Sequence, residues 1–301
     1  MNTPRLLSST NEPLILPDGL EVKTHGTTNI PYTVYRGSIP DYLPSYPLHY
    51  HDELEIIYCV SGSGCILISG ESYVITSEDF VIILPDQVHS IESITEPFEY
   101  FNILFNFSII ESEREDNFIY QQYMAPFAKG SVAVPSIIKR DSSLSEQLSP
   151  HIIPLIDEGK KISILLVKSH LYAIMDILNS IAVPIDKKSA SNHKTNEFLR
   201  QAVQYINDYY SEKVQISEVS AFCGYSKSHF MKLFKDLTGT SFSQYLVRFR
   251  LEKAAGLLRS TDKSIINIAT LCGFFNASYF TRAFIKQYQS TPSVYRSSWN
   301  D

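Results

Sequence analysis

The sequence predicts a two-domain protein of the α+β class, with an N-terminal antiparallel β-barrel followed by two helices and a C-terminal all-α domain. Three observations predict this fold. Short β-branched and aromatic runs dominate the first third of the chain, helical periodicity begins at Ser142, and a helix-turn-helix unit occurs twice in the last 107 residues. The 301 residues are 44% hydrophobic, which supplies enough apolar material for two cores and excludes disorder along the whole chain.

The barrel is predicted for residues 31–140, where strand-like runs follow one another with no helical period between them. Turn residues separate the runs, for example Ser61-Gly62-Ser63-Gly64. Closely spaced short strands of this kind favour an antiparallel barrel or sandwich. The runs are Tyr32–Tyr35, Glu55–Val60, Cys65–Ile68, Ser72–Ile75, Phe80–Leu84 and Tyr100–Phe105. Residues 1–30 are polar and contain Pro13, Pro17 and two glycines, so we expect an N-terminal arm there.

Two amphipathic helices are predicted within 141–185. Leu148, Ile152 and Leu155 share one helical face, and a second apolar set passes through Leu165 and Tyr172. Such faces pack on the barrel or on a second copy of the chain, so we assign 141–185 as dimerisation helices. The polar stretch 186–194 has no apolar period and is interpreted as a linker.

The C-terminal domain, 195–301, contains an internal repeat. The segment 216–224 recurs 49 residues later as 265–273, and after one inserted residue the offset becomes 50. Each copy has a short helix, a glycine turn and a second helix, which is the helix-turn-helix arrangement. The two motifs are predicted at 216–237 and 265–288, with a long helix at 242–258 between them.

Charge divides the chain in the same place. From Thr195 onwards there are 13 Lys/Arg against 8 Asp/Glu, whereas the preceding 194 residues have 13 against 24. A basic half beside an acidic half suggests that the basic half meets a polyanion. The sequence has no obvious signal peptide or membrane span, and its four cysteines are far apart. We therefore expect a cytoplasmic protein with reduced thiols and no membrane partner.

The second helix of each motif has a face suited to DNA. Phe230 and Phe234, and likewise Phe280 and Phe284, are expected to point inward. The opposite face has small polar residues at its N-terminal end and a long cation one turn later, which fits base edges and phosphates in the major groove. A single face of this kind could simply be the solvent-exposed side of an amphipathic helix, but two such faces in tandem favour DNA binding. The candidate DNA-binding residues are Ser226, Lys227, Ser228, Met231, Lys232, Lys235, Asn276, Ala277, Ser278, Thr281, Arg282 and Lys286.

Residues 197–296 resemble the DNA-binding domain of AraC/XylS-family transcription regulators. The resemblance implies that each second helix enters the major groove and that the linking helix sets their separation. Two positions depart from the family pattern: Ile285 replaces a common Lys, and Gln289 replaces the Gly that usually ends the helix. The matching positions are Ser226, His229, Phe230, Phe234, Lys235, Gly239, Tyr245, Arg248, Leu251, Ala254, Leu257, Leu258, Ile265, Ile268, Ala269, Gly273, Phe274, Tyr279, Phe280, Arg282, Phe284, Ser290, Thr291, Pro292, Tyr295 and Arg296.

The N-terminal half resembles the cupin-like effector domain that these regulators often carry. His49, His51, Glu55 and His89 have the layout of the metal-binding cupin motif, although Gln87 stands where that motif has Gly. Three interpretations stay open: a polar effector pocket, a divalent metal site, or a core cluster whose members satisfy one another. We favour the pocket, lined by these four residues and Tyr58 and suited to a sugar or another small polar metabolite, and we expect no cofactor.

The function predicted is therefore a ligand-responsive, DNA-binding transcription regulator, not an enzyme, that controls uptake or catabolism genes for a small metabolite. Its expected partners are double-stranded promoter DNA, a small-molecule effector and a second copy of the chain. RNA polymerase would be a further partner if the regulator is an activator. The alternatives are a metal-dependent cupin enzyme fused to a DNA-binding module, and a regulator whose barrel only dimerises.

Overall fold

The computed structural model describes residues 31–39, 45–110, 118–157, 162–185 and 190–300. The chain divides into two compact units, and the division falls between Asn196 and Glu197. The first unit contains the sheet and two long helices, and the second is helical, so the predicted α+β two-domain class is confirmed. The arm predicted at 1–30 and the linker residues 186–189 lie outside the described residues.

Seven strands of the first unit form one antiparallel sheet, in which β6 and β3 pair with each other and with most of the others. Along the main path the strand order is β1-β6-β3-β5-β8, while β2 pairs with β6 and β4 pairs with β3. Two further short strands, β7 and β9, pair separately. The strands are β1 (Tyr32–Ile39), β2 (Ser45–His49), β3 (Leu54–Ile68), β4 (Glu71–Thr76), β5 (Phe80–Ile83), β6 (His89–Phe105), β7 (Val132–Ala133), β8 (Ile137–Ile138) and β9 (Val183–Pro184).

The glycine-rich stretch 61–64 lies inside β3, and the prediction of a turn there is wrong. The register between β3 and β6 shifts there instead, and Gly62 has a φ of 77°. A Cβ atom on Gly62 would lie nearer than 3.0 Å to the carbonyl oxygen of Pro97, and one on Gly64 would lie 2.6 Å from the Phe98 ring. Both glycines therefore allow β6 to approach β3 closely at a bulge. Glycine serves this role within strands as well as forming turns between them.

The bulged region divides β3 and β6 into two halves that pair with different strands. The first half of β3 pairs with β5 and its second half with β4, and β6 pairs with β2 and then with β1. Apolar residues from both halves form one buried cluster, in which Ile57, Ile66, Ile75 and Phe98 take part. The sheet is thus folded over a filled interior, as a cupin-like barrel requires.

Helices cover the opposite face of the sheet. A π-helical turn (Tyr120–Met124) leads into α1 (Ala125–Ala128), and α2 (Ser143–Ile156) and α3 (Ile164–Ile181) follow. Ser142 and Ser163 cap α2 and α3 by accepting a hydrogen bond from a first-turn N–H. Both helices bury apolar residues in a core shared with the strands.

The buried seam of α3 matches the predicted one, which runs from Ile162 through Leu165 and Tyr172 to Met175 and Leu178, only at its C-terminal end. Leu171, Met175 and Leu178 are buried, whereas Leu165 is 78% exposed and Tyr172 is also exposed. The helix is apolar on more than one face, and periodicity alone did not show which face meets the sheet. Although α3 has the length and hydropathy of a membrane span, its buried seam and its charged Lys168 and Asp176 are those of a core helix in a folded domain.

The second unit consists of helices that begin and end close to their predicted positions. The first helix begins at Ala190, so the predicted linker residues 190–194 are helical; no proline or glycine interrupts the helix there. The helices are α4 (Ala190–Tyr209), α5 (Ile216–Phe222), α6 (Lys227–Thr238), α7 (Phe242–Ser260), α8 (Ile265–Leu271), α9 (Ala277–Tyr288) and α10 (Pro292–Asn300). Two helix-turn-helix motifs, α5–α6 and α8–α9, therefore flank α7.

The turns inside the two motifs both use a glycine with positive φ, 74° at Gly224 and 75° at Gly273. Their surroundings differ. A Cβ atom on Gly224 would meet nothing within 4 Å, whereas one on Gly273 would lie nearer than 3.0 Å to the backbone oxygen of Tyr210 and to Nε of Arg250. Arg250 donates hydrogen bonds of 2.6 Å to the carbonyl oxygens of Tyr210 and Glu212, so this neighbourhood is held in place.

We therefore expect Gly273→Ala to destabilise the protein more than Gly224→Ala. In the Gly224 variant, alanine must adopt the left-handed conformation, which lowers the free energy of unfolding by about 1–2 kcal/mol. In the Gly273 variant the new Cβ atom must also displace the backbone of Tyr210, which lowers it further. Urea unfolding of both variants, followed by circular dichroism, measures the difference. Equal losses in the two variants would show that the Tyr210 contact does not constrain the turn.

Candidate functional site

The two second helices, α6 and α9, bury equivalent phenylalanines. Phe230 and Phe234 of α6 and Phe280 and Phe284 of α9 are fully buried, as predicted. Burial of four aromatic rings fixes the rotation of each helix about its axis, because each ring contributes on the order of 1.5–3 kcal/mol. The opposite face of each helix is left to solvent.

All the candidate DNA-binding residues lie on this solvent face or at the helix N-termini, and all are exposed except Thr281, which is half-buried. Two of them also have a structural role. Ser226 and Asn276 are N-caps, and their side-chain oxygens accept hydrogen bonds from the backbone N–H of His229 and Tyr279. Lys232 and Arg282 occupy equivalent exposed positions in the second turn of their helices.

Both motifs pack on the same helix, α7. Phe242 lies 5.3 Å from the rings of both Phe230 and Phe234, at the N-terminal end of α7. The C-terminal half of α7 contributes Leu251, Ala255 and other residues to the core that buries α8 and α9. Because one continuous helix belongs to both cores, α6 and α9 are held at a fixed separation.

The two recognition helices end differently. Gly239 ends α6 with a φ of 73°, and Gln289 ends α9 with a φ of 52°. The left-handed turn therefore forms at Gln289 despite its side chain, which donates a hydrogen bond to the carbonyl oxygen of Lys286. The exposed Ile285 occupies the position where the resemblance implies a cation.

Three exposed aromatic or imidazole side chains beside these helices were not among the candidate DNA-binding residues predicted from the sequence. Tyr279 and His229 occupy equivalent positions in the first turn of α9 and α6. Phe275, which is 72% exposed, precedes the N-cap of α9 and is the one residue inserted in the second copy of the repeat. Alignment of the two copies is the signal that finds Phe275, since the first copy has no counterpart.

The first unit brings together His49, His51, Glu55 and His89. His49 ends β2 opposite His89, which begins β6, and Glu55 follows at the start of β3. His51 lies two residues after His49, and its ring centroid is 5.8 Å from that of His49. The ring centroids of His49 and His51 lie 4.0 and 5.0 Å from that of His89. All four side chains are buried.

Glu55 lies between two of these rings. Its Oε2 atom is 3.1 Å from Nε2 of His51 and 3.0 Å from Nε2 of His89. Burial raises the pKa of the Glu55 carboxyl, but the hydrogen bonds and charges of His51 and His89 outweigh it and hold that pKa well below its usual value. The group is therefore a carboxylate.

Tyr58 does not join this cluster. It lies three residues after Glu55 on β3 and therefore faces the other side of the sheet. Its ring packs 5.1 Å from that of Phe80, in the core beneath the helices. The other four residues predicted for the pocket are adjacent, as the sequence spacing indicated.

The turn before His89 is closed by side-chain amides. Gln87, which stands where the cupin motif has Gly, accepts a hydrogen bond of 2.7 Å from the backbone N–H of Leu84. Asn196, the last residue of the first unit, accepts from the N–H of Val88 and donates to the carbonyl oxygen of Asp86, both at 2.8 Å. Asn196 belongs to α4, which continues into the second unit.

Comparison with known families gives two matches. The family described as "AraC-like ligand binding domain" matches residues 32–175, and a "Helix-turn-helix domain" family matches residues 219–298. The first contains the sheet, α1, α2 and most of α3, and the second contains both motifs and α7.

The chain belongs to the AraC family of transcription regulators.

Two curated proteins illustrate the similarity. The "HTH-type transcriptional activator RhaR" of Mannheimia succiniciproducens is 27% identical over 265 residues, which is 85% of this chain and 89% of that protein. The "Right origin-binding protein" of Escherichia coli is 37% identical over 100 residues, 33% of this chain and 35% of that protein. This AraC-family protein is accordingly a regulator with a DNA-binding domain and a ligand-binding domain, and not an enzyme.

Among solved structures, ToxT from Vibrio cholerae covers 88% of this chain and 97% of its own, with 16% identity and a TM-score of 0.41. The C-terminal domain of the response regulator yesN from Fusobacterium nucleatum is 33% identical over 32% of this AraC-family chain and 93% of its own, with a TM-score of 0.31.

We expect Lys232→Ala and Arg282→Ala to affect different halves of one DNA site. If each cation reads a base, each replacement costs about 1–3 kcal/mol of binding and relaxes specificity in its own half only. Lys232→Ala should cost more, because α6 also has Lys227 and Lys235 whereas α9 has Ile285. Footprinting of both variants on one promoter measures this.

Lys227→Ala is the matched control for these two variants. As a phosphate contact it should weaken binding to every sequence and flatten the salt dependence. The assignment fails if Arg282→Ala costs more than Lys232→Ala, or if both variants lose protection over the same base pairs.

Proposed function

We propose that this regulator controls genes for the uptake or catabolism of a small polar metabolite, by binding their promoters as double-stranded DNA. The observation that carries the proposal is the pair of recognition helices, each held by buried phenylalanines and each with an exposed cation at the same position. A stiff connection through α7 makes both available to one face of a duplex.

The barrel unit is proposed to sense the effector. His49, His51, Glu55 and His89 form a buried polar cluster in an otherwise apolar interior, and such convergent groups are typical of small-molecule sites. The turn that precedes His89 is also joined to α4 by the hydrogen bonds of Asn196. His89 follows the turn that Asn196 clamps, so a change at His89 has a route to the helix that leads into the DNA-binding unit.

A second copy of the chain is a proposed partner. The face of α3 that contains Leu165, Leu166 and Tyr172 is exposed and apolar, which is typical of an interaction surface. A charge at the buried Leu171 would disrupt the core of a monomer, whereas a charge at the exposed Leu165 would report on dimerisation. We propose RNA polymerase as a further partner if the regulator activates transcription, and the cytoplasm as its location.

Genome-wide footprinting with the full chain tests the proposed function. We expect protected sites of roughly 20 bp per monomer upstream of uptake or catabolic genes, since two helices read major-groove segments about 10–10.5 bp apart. A metabolite handled by the products of those genes should stabilise the folded protein by about 2.7 kcal/mol when present at 100 times its Kd. This stabilisation should be visible as a rise in the melting temperature.

The control for this experiment is His51→Ala, which should lose the metabolite-dependent shift and keep the footprint without the metabolite. Protection that lies away from promoters would contradict the gene-control proposal. A metabolite response that is unchanged in His51→Ala would remove the effector site from this cluster.

A further inference from the structure

Phe275 is an exposed aromatic residue at the end of the turn in the second motif. It is 72% exposed, and in the part of the chain that the structure describes no other aromatic ring packs on it. The preceding Phe274 is 4% exposed, and its ring lies 5.0 Å from that of Phe280. Phe274 therefore supplies the apolar contact that fixes the entry of the chain into α9, and Phe275 has no packing role there.

The turn of a helix-turn-helix motif forms in this chain without such a residue. In the first motif the N-cap Ser226 follows two residues after Gly224, whereas in the second motif the N-cap Asn276 follows three residues after Gly273. The two glycines have nearly the same φ, and both N-cap side chains accept a hydrogen bond from the first turn of their helix. Neither the turn nor the core therefore accounts for Phe275.

The surface around Phe275 is the N-terminal end of a recognition helix. In helix-turn-helix proteins the first residues of the second helix contact base edges in the major groove. Residues 275–279 are all exposed, and Ala277 and Ser278 are small, so this end of α9 can approach the bases closely. The first turn of α9 contains no acidic residue that would repel phosphate. An apolar ring at this position is buried against DNA when α9 enters the groove.

The major groove offers one apolar group to such a ring, the C5 methyl group of thymine. The other distinguishing groups of the base pairs there are hydrogen-bond donors and acceptors, which a phenyl ring cannot pair. Contact with the methyl group removes apolar surface from water on both sides, whereas contact with donors and acceptors leaves them unpaired. The chemistry of Phe275 therefore favours thymine over the other bases.

The charges of the two recognition helices are consistent with this assignment. Three lysines lie on α6, whereas α9 has only Arg282 and Lys286 as cations and the apolar Ile285 between them and its C-terminus. Cations bind the phosphate backbone in a salt-dependent way without regard to sequence. An apolar contact at α9 supplies binding free energy that charge supplies at α6, and it depends on the base.

We propose that Phe275 is a specificity-determining residue that contacts the C5 methyl group of a thymine in the half of the DNA site read by α9. The inference rests on the proposed use of α9 as a recognition helix, to which it adds an apolar contact beside the polar contact of Arg282.

Replacement of single thymines by uracil tests this contact, because uracil lacks only the C5 methyl group and keeps the hydrogen-bonding groups. A duplex selected from random sequences by the full chain is substituted one thymine at a time, and its affinity is measured for the wild type and for Phe275→Ala. We expect one thymine whose replacement weakens wild-type binding about fourfold, the effect of burying one methyl group. It should lie in the half whose footprint changes in Arg282→Ala.

The same replacement should leave the affinity of Phe275→Ala unchanged, because the ring that contacts the methyl group is gone. On the thymine duplex Phe275→Ala itself should bind at least fourfold more weakly than the wild type. Its melting temperature should equal that of the wild type, since Phe275 is exposed and packs on no core residue of its own motif's aromatic cluster.

Ile266→Ala is the matched control. Ile266 is 68% exposed on α8, the first helix of the same motif, which crosses the DNA backbone and does not enter the groove. This variant also loses an exposed apolar side chain, and it should keep the full wild-type response to uracil. Loss of the response in Ile266→Ala would overturn the assignment to Phe275.

Three other results would contradict the proposal. The first is that no uracil duplex binds the wild type more weakly, and the second is that Phe275→Ala loses affinity equally on thymine and uracil duplexes, as a contact with the sugar–phosphate backbone would. The third is that Phe275→Ala binds DNA normally but fails to regulate transcription, which would assign Phe275 to a protein contact.

Arg282→Ala separates this proposal from the proposed function. If Arg282→Ala weakens binding in one half of the site and no thymine methyl group matters there, α9 reads DNA and only the Phe275 contact is wrong. If neither Arg282→Ala nor Phe275→Ala changes the affinity, α9 does not read DNA, and the proposed pair of recognition helices is wrong as well.

Discussion

The DNA-binding unit depends on one helix that belongs to two hydrophobic cores. The N-terminal end of α7 packs on the phenylalanines of α6, and its C-terminal half packs on α8 and α9. Neither motif buries its apolar face without α7, and short helix pairs are unstable in isolation. The same contacts that stabilise each motif therefore fix the distance between the two recognition helices, so stability and recognition geometry have one physical origin.

The DNA-binding unit depends on apolar burial, whereas the barrel unit must accommodate a buried charge. The Glu55 carboxylate is at the start of a strand whose other inward residues are apolar, such as Ile57 and Cys59. A carboxylate in that place is tolerated only with compensating partners, and the strand ends around it supply three imidazoles. A domain that needed only a stable core would gain from apolar residues there, which is why this cluster is where a ligand is expected.

Much of this architecture could be predicted from the sequence, because repeats and period-3.6 patterns depend on local spacing. The motif boundaries, the buried phenylalanines and the solvent face of α6 and α9 follow from spacing alone. The errors arose where partners distant in sequence decide the outcome. Gly62 looked like a turn because its neighbour Pro97 is far along the chain, and α3 has more than one apolar face.

In the candidate sites, too, features that depend on local spacing could be predicted, and features that depend on tertiary contacts could not. Spacing brought His49, His51 and Glu55 together, but strand alternation places Tyr58 on the other face. Its separation of three positions from Glu55, an odd number, was enough to predict that. Two features had no sequence signal. The clamp of Asn196 on the 86–88 turn depends on tertiary contact, and the orientation of the three barrel histidines depends on the backbone carbonyl oxygens beside their Nδ1 atoms.

The central claim is that α7 holds two reading helices at a fixed spacing, and a spacer experiment tests it most directly. A site selected from random duplexes by the full chain is lengthened between its halves by about 5 bp or about 10 bp, half a turn and a whole turn. The account predicts at least a tenfold loss of affinity for both insertions, since a 19-residue helix of about 28 Å cannot extend. Undiminished affinity with the 5-bp insertion, or recovery with the 10-bp insertion, would contradict it.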